Sequence, residues 1–355
     1  MKRIKRIFTS RLFLIPFVLI LAVTVFMKIR IAYDAKPEYV SFKSKDITLK
    51  GIILKPEGPG PHPAILILHG SGGSYQTYDK WYNRFHANEL LSRGFAVMSY
   101  TKRGSGKHDI DYKYVTYEDL MEDALTAVDF LRRQPGIDPD HIGLLGVSES
   151  GWFTPEMASK RNCIKFIINR VGPPFSMNET TLFEVRNDAL AEGLTEKEIE
   201  DELIPLVKRI RQFYIDVAQD PSMANGPERD AINARYKEVR ERKGFREFFG
   251  PQLQEYDPDL YAVRAAKYSY DPQPFLEEID IPMLYLYGGK DINVPTEASV
   301  KYLERLRAEM GKDITFRVFP DAGHYMYRWK AFPVEGFYQK GYLDLIGDWA
   351  EMQLK

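Results

Sequence analysis

The stretch Ile142-Gly143-Leu144-Leu145-Gly146-Val147-Ser148-Glu149-Ser150-Gly151 passes from an apolar run into a serine flanked by small residues. A helical pattern over 149–160 follows at once. A short run that is apolar on both faces reads as a buried strand. A serine two residues after a glycine, on a tight strand-to-helix turn, has its Oγ held clear of the backbone, and the small neighbours let the two elements pack closely. Ser150 stands where the G-x-S-x-G pattern has its second glycine, and it is small enough for that place. Working outward, further apolar runs occur at Ala64–Leu68, Phe95–Tyr100, Ile164–Ile168, Met283–Tyr287 and Ile314–Phe319. They alternate with helical patterns at Trp81–Arg93, Tyr117–Arg133, Glu149–Lys160, Glu297–Met310 and around Gly336–Leu354. Residues 39–54 alternate as two short strands and lead through the Gly/Pro-rich turn Pro56–Pro63 into the first buried run. Strand and helix in alternation predict an α/β fold, with a mostly parallel central sheet and helices on both faces.

Two more chemistry-bearing residues follow buried runs. Asp291 ends Tyr287-Gly288-Gly289-Lys290-Asp291, and His324 ends Phe319-Pro320-Asp321-Ala322-Gly323-His324. Both would emerge at the carboxyl ends of parallel strands, where open sheets place their sites. A serine hydroxyl is a poor nucleophile until a histidine takes its proton, and that histidine needs an acid to hold its tautomer. Ser148, His324 and Asp291 are therefore the candidate catalytic residues, with Asp321 as the alternative acid. After the first buried run, His69-Gly70-Ser71-Gly72-Gly73 offers backbone donors to a developing oxyanion, so Ser71 or Gly72, with Glu149 after the nucleophile, are the candidate oxyanion hole. His69 is expected to brace this loop.

With these residues the chain resembles the α/β-hydrolase superfamily. The likeness is to the bacterial branch related to dienelactone hydrolases, serine aminopeptidases and acylaminoacyl-peptidase catalytic domains. Tyr100–His108 is similar to the Y-D-K-R-G-x-G-x-S segment of that branch, with Thr101 for Asp and His108 for Ser. Gly146–Pro155 is similar to its G-x-S-x-G-G-W segment and the early helix proline, with one substitution. The resemblance spans about residues 39–355. It implies the α/β-hydrolase fold and hydrolysis of esters, amides or thioesters without a cofactor. The expected activity is cleavage of carboxylic esters through an acyl-enzyme, with a small-molecule ester or acyl compound as substrate. A peptidase or acyl thioesterase with the same triad, and a non-catalytic binding protein on this scaffold, are the alternatives. A serine at the elbow excludes branches that need aspartate there.

The pattern breaks from Pro174 to Phe275 into a polar, helix-rich insertion. Thr195-Glu196-Lys197-Glu198 is a capping box opening a helix with one apolar stripe from Ile199 to Val217, with a kink expected at Pro205. The expected organisation is a core of 31–173 and 276–355 carrying a helical cap at 174–275. Inside the site, Trp152, Arg170 and Tyr325 are candidate substrate contacts. Arg170 alternatively forms an ion pair with a cap acid, and Trp152 and Tyr325, with Tyr327, alternatively pack the core. The Glu149 side chain is a candidate for a substrate amine, or simply an acid at a helix start.

Five basic residues precede the apolar run Leu12–Met27, and Lys28 and Arg30 close it. The run covers roughly 24 Å at ~1.5 Å per residue, and snorkelling of Arg11 and Lys28 extends it toward a span. Residues 1–30 are therefore expected to form an uncleaved transmembrane anchor, against a cleaved signal peptide or a buried helix, with the rest of the chain outside the cytoplasm. Residues 31–355 carry 42 basic against 50 acidic side chains, which argues against nucleic acid as a partner. The single cysteine, Cys163, and six histidines without ligand spacing argue against a disulfide framework and a metal site. Gly104-Ser105-Gly106-Lys107 lacks the remainder of a phosphate-binding loop, so no nucleotide is expected.

Overall fold

The computed structural model describes residues 32–72, 77–78, 81–106, 110–328 and 338–355. The alternating amino-terminal segment forms a hairpin of β1 (Glu38–Ser44) and β2 (Ile47–Leu54), turning at Lys45 with φ +51°. The apolar runs then become β3 (His62–Ile67), β4 (Ala96–Tyr100), β5 (Ile137–Val147), β6 (Ile164–Arg170), β7 (Met283–Gly288) and β8 (Ile314–Phe319). Among the described residues eight strands lie in the order β1-β2-β4-β3-β5-β6-β7-β8. Pairings β1–β2 and β2–β4 are antiparallel and the others parallel. The continuous apolar runs follow from burial on both faces: Leu66, Leu68 and Leu144 join one apolar layer, while Ile65, Ile67 and Leu145 join the other. Each such fully buried Leu or Ile contributes about 1.5–3 kcal/mol.

Helices cover both layers. In chain order they are α1 (Trp81–Ser92), α2 (Tyr117–Leu131) and α3 (Ser150–Lys160). The cap adds α4 (Met177–Ala191), α5 (Ile204–Gln219), α6 (Pro227–Arg240) and α7 (Pro258–Tyr268). The remainder are α8 (Gln273–Glu278), α9 (Thr296–Met310) and α10 (Tyr342–Met352). Leu120 of α2, Met157 of α3 and Leu303 of α9 pack on one face of the sheet; Leu90 of α1 and Trp349 of α10 pack on the other. Between β6 and β7 a separate apolar cluster runs from Ala189 to Tyr261, so this insertion carries its own core. Leu276 of α8 and Ile279 belong instead to a cluster under the sheet.

At Pro205 the helix opened by the capped turn Glu196–Glu198 runs on without a break through a π-helical turn at Ile199–Leu203 into α5, the wider turn standing directly before the proline, which has no N–H to give. Two local expectations are corrected. The last helix begins at Tyr342, not near Gly336, because Gly341 adopts φ +75° immediately before it. Strand β5 starts earlier than its apolar run, at Ile137, which pairs with His62. Residues 1–30, the expected anchor, lie outside the described residues. Among the described residues no helix is long and apolar enough to cross a membrane.

Candidate active site

Strand β5 ends at Val147 and α3 begins at Ser150, leaving Ser148 and Glu149 to turn the chain. Ser148 is held at φ +51°, a left-handed conformation that costs a residue with a Cβ of order 1 kcal/mol or more. The neighbourhood enforces it. The Ser148 N–H donates to the Arg170 carbonyl at 2.9 Å, and the Gly151 N–H donates to the Ser148 carbonyl at 2.8 Å. A Cβ at Gly146 would stand 2.6 Å from Asn169 Oδ1, so only glycine lets β5 and β6 close up under the turn. Ser150, the departure from the second glycine, is fully buried and ties the turn from inside. Its Oγ accepts from the Val147 N–H at 2.6 Å and donates to the Val147 carbonyl at 3.2 Å.

The loops after β7 and β8 bring the other two residues to Ser148. They are stitched together by the Gly289 N–H on the Phe319 carbonyl and the Lys290 N–H on the Ala322 carbonyl, both at 2.8 Å. Close approach at Gly288 makes this possible, since a Cβ there would lie 2.5 Å from the Ala322 carbonyl oxygen. Asp291 is buried, and its Oδ1 accepts from the Asn293 and Val294 N–H groups at 2.8 and 3.1 Å. Its carboxylate faces His324 Nδ1, with Oδ2 at 2.9 Å, while His324 Nε2 lies 3.0 Å from Ser148 Oγ. Asp321 is exposed and paired with Lys290 at 2.7 Å. Held in this way, the imidazole can take the Ser148 proton on one nitrogen while the other stays fixed by a carboxylate.

A cavity of about 420 Å³ opens over Ser148. Ser71, Glu149, Trp152, His324 and Tyr325 line it, so these candidates meet at one place. Trp152 is held by its Nε1–H on the Phe175 carbonyl at 2.8 Å, and its ring meets that of Tyr117 at 5.4 Å. Tyr325 is largely exposed and stacks on Tyr327 at 5.9 Å. The Arg170 side chain is buried, does not line this cavity, and lies near Tyr327, Tyr338 and Tyr342. Its backbone carbonyl is what serves the turn. Among the described residues no cluster of three or more His, Cys, Asp or Glu could hold a metal ion.

Sequence reasoning missed a buried polar network beside the nucleophile. Lys102, after β4, places Nζ 2.8 Å from both Glu149 Oε2 and the Gly70 carbonyl. Burial pulls the Lys102 ammonium below its ordinary value, and the facing Glu149 carboxylate opposes that pull. The Tyr112 hydroxyl donates to Glu149 Oε1. Burial, then the Glu149 charge, push the Tyr112 pKa well up, so it stays a neutral donor. One ion pair thus links the glycine loop after β3 to the residue after the nucleophile. The neighbouring Arg103 grips Asp123 in two hydrogen bonds of 2.9 and 2.8 Å. His69 is buried against the Tyr100 carbonyl, beneath the same loop.

A strained serine at the head of a helix, with histidine and aspartate from the next loops of a mostly parallel sheet, is the arrangement of α/β-hydrolases. The chain belongs to the alpha/beta hydrolase family, whose model matches residues 65–337. Its relatives lie in the esterase and peptidase branch of serine hydrolases. It is 29% identical over 326 residues to the esterase EstD of Thermotoga maritima, covering 87% of this chain and 67% of that one. It is 24% identical over 291 residues to the mitochondrial acyl-coenzyme A thioesterase 2 of Rattus norvegicus, covering 79% of this chain and 49% of the relative. The acylaminoacyl peptidase of Pyrococcus horikoshii shares the fold, with a TM-score of 0.56 and 17% identity over 90% of this chain and 41% of that one.

Proposed function

We propose that the chain is a serine esterase that cleaves small carboxylic esters through an acyl-enzyme on Ser148. The observation that carries this reading is the continuous line from Ser148 Oγ through His324 Nε2 and Nδ1 to Asp291, with contacts of 3.0 and 2.9 Å. Ser148 Oγ attacks the ester carbonyl carbon as its proton passes to His324 Nε2. The N–H groups of Glu149 and of Ser71 or Gly72 hold the oxyanion. Collapse breaks the bond to the leaving alcohol, which departs with the proton from His324. Water then attacks the acyl carbon, gives its proton to His324, and Ser148 leaves with that proton as the acid is released. The cavity volume suits a small acyl or alcohol group. The Thermotoga relative carries the name of an esterase.

Fluorophosphonate labelling followed by peptide mapping tests the reading. The label belongs on Ser148, and Ser148→Ala should abolish both labelling and ester turnover, with a fall of about 10⁴–10⁶ in kcat. Labelling that persists in Ser148→Ala places the nucleophile elsewhere. We further propose that residues 1–30 anchor the enzyme in a membrane. The full chain should then sediment with membranes and a chain beginning at Ala32 should not; equal sedimentation of the two refutes the anchor.

A further inference from the structure

The cavity over Ser148 is lined by an unequal set of charges. Each of its acids is engaged: Glu149 by Lys102 and Tyr112, and Glu184 of α4 by the Asn293 side-chain amide. Lys267 of α7 also lines the cavity and has no carboxylate within 4 Å among the described residues. Its ammonium sits instead over two aromatic faces, 4.4 Å from the centre of Tyr112 and 5.3 Å from that of Tyr117. Burial lowers its pKa; the Glu149 carboxylate, already held by Lys102 and Tyr112, opposes that shift, and the nearby Lys102 charge adds to it. A second polar residue lies on the same wall. Thr180 of α4 is 2% exposed, and its hydroxyl has no partner among the described residues. A buried ammonium without a carboxylate partner and a buried hydroxyl without a partner each carry a desolvation penalty that a ligand oxygen would offset.

We propose that this cap wall is a carboxylate subsite, and that the preferred substrates are esters carrying a carboxylate group bound by Lys267 with help from Thr180. The reaction rests on the esterase reading above; the binding does not. A carboxylate has two oxygens able to accept from an ammonium and a hydroxyl, and a charge-assisted contact of this kind is worth roughly 10- to 100-fold in kcat/KM. A cationic substrate is disfavoured, because the acids that could receive it already have partners.

Two ester pairs test the proposal. One compares para-nitrophenyl hydrogen glutarate with para-nitrophenyl pentanoate, placing the carboxylate on the acyl arm. The other compares para-carboxyphenyl with para-carbamoylphenyl pentanoate, placing it on the alcohol arm. In one of the pairs the wild-type protein should favour the anion at least tenfold in kcat/KM. Lys267→Met should erase that ratio, Lys267→Arg should keep most of it, and Thr180→Val should reduce it by less than Lys267→Met does. Met retains an apolar stem against Tyr112 and Tyr117, and thermal melts of both Lys267 variants check folding. Anionic preference absent from both pairs, or unmoved by Lys267→Met, overturns the subsite and leaves the esterase reading standing. If no ester is cleaved, the esterase reading falls, and titration of Ser148→Ala with monomethyl glutarate decides. Binding weakened tenfold by adding Lys267→Met supports the subsite, whereas absent or unchanged binding overturns it.

Discussion

At the scale of single residues, the site rests on charges and hydroxyls whose partners differ in how far apart they lie in sequence. Ser148, Asp291 and His324 were legible because each follows its own buried strand and the three stand in a diagnostic order. Lys102, Tyr112 and Lys267 were not legible, since they meet Glu149 and the cavity only after three separate segments fold together. Tyr112 sits on a single 3₁₀ turn that has no sequence signal of its own. Ser150 was readable as a tolerated small residue, but its two hydrogen bonds to Val147 depend on the turn already being formed. The choice between the two candidate acids yields a prediction. Asp291→Asn should lower kcat by about 10⁴, because the imidazole loses the partner that fixes its tautomer. Asp321→Asn, which removes only an exposed pair with Lys290, should leave kcat close to wild type. Kinetics of the two variants on one activated ester decide it, and a larger loss in Asp321→Asn would reassign the acid.

At the scale of elements, the strands were readable because burial on both faces writes an unbroken apolar run, whereas the start of α10, set by the single glycine Gly341, was misplaced. The contact between the β7 and β8 loops belongs to this scale. Gly288→Ala puts a methyl group against the Ala322 and Gly323 carbonyl oxygens, at 2.5 and 2.6 Å before relaxation. Separating the loops by even a fraction of that overlap moves Asp291 from His324, so kcat should fall by about 10²-fold. An unchanged kcat would show that the loops yield freely. The capped turn before α5 gives a pH prediction. Hydrogen bonds from the Thr195 backbone and hydroxyl, then from Arg242, hold the Glu198 carboxyl down to about 2 from an ordinary value of 4.5. A depressed folded-state pKa means the unfolded chain binds protons more readily, so the stability Glu198 contributes is present above pH 4.5 and is lost as pH falls toward 2. Urea unfolding of wild type against Glu198→Gln should therefore show a gap at pH 7 that narrows by pH 3. A gap that is constant with pH would deny the carboxylate that role.

At the scale of the whole molecule, the switch between β3 and β5 places the glycine loop and the nucleophile turn side by side, and the insertion after β6 closes over both. The break in strand–helix alternation announced the insertion; its apolar stripe was readable as a face that must be covered, and was expected to roof the pocket, whereas it packs into the insertion's own core. Which of its polar residues face the serine was not readable, because Thr180 and Lys267 lie on different helices and neither stands out from the surface-like pattern around it. Under the proposed function the sheet and its loops supply the chemistry, and α4 and α7 of the insertion supply selection. That function requires a covalent acyl group on Ser148. The direct measurement is mass spectrometry of protein quenched in acid while it turns over para-nitrophenyl butyrate, carried out on the wild type and on His324→Ala. The account predicts one butyryl group per chain, located on the peptide containing Ser148, and little acylation of His324→Ala, which lacks the base. A butyryl group on another residue, or steady turnover with no acylated protein and undiminished rate in Ser148→Ala, would contradict it.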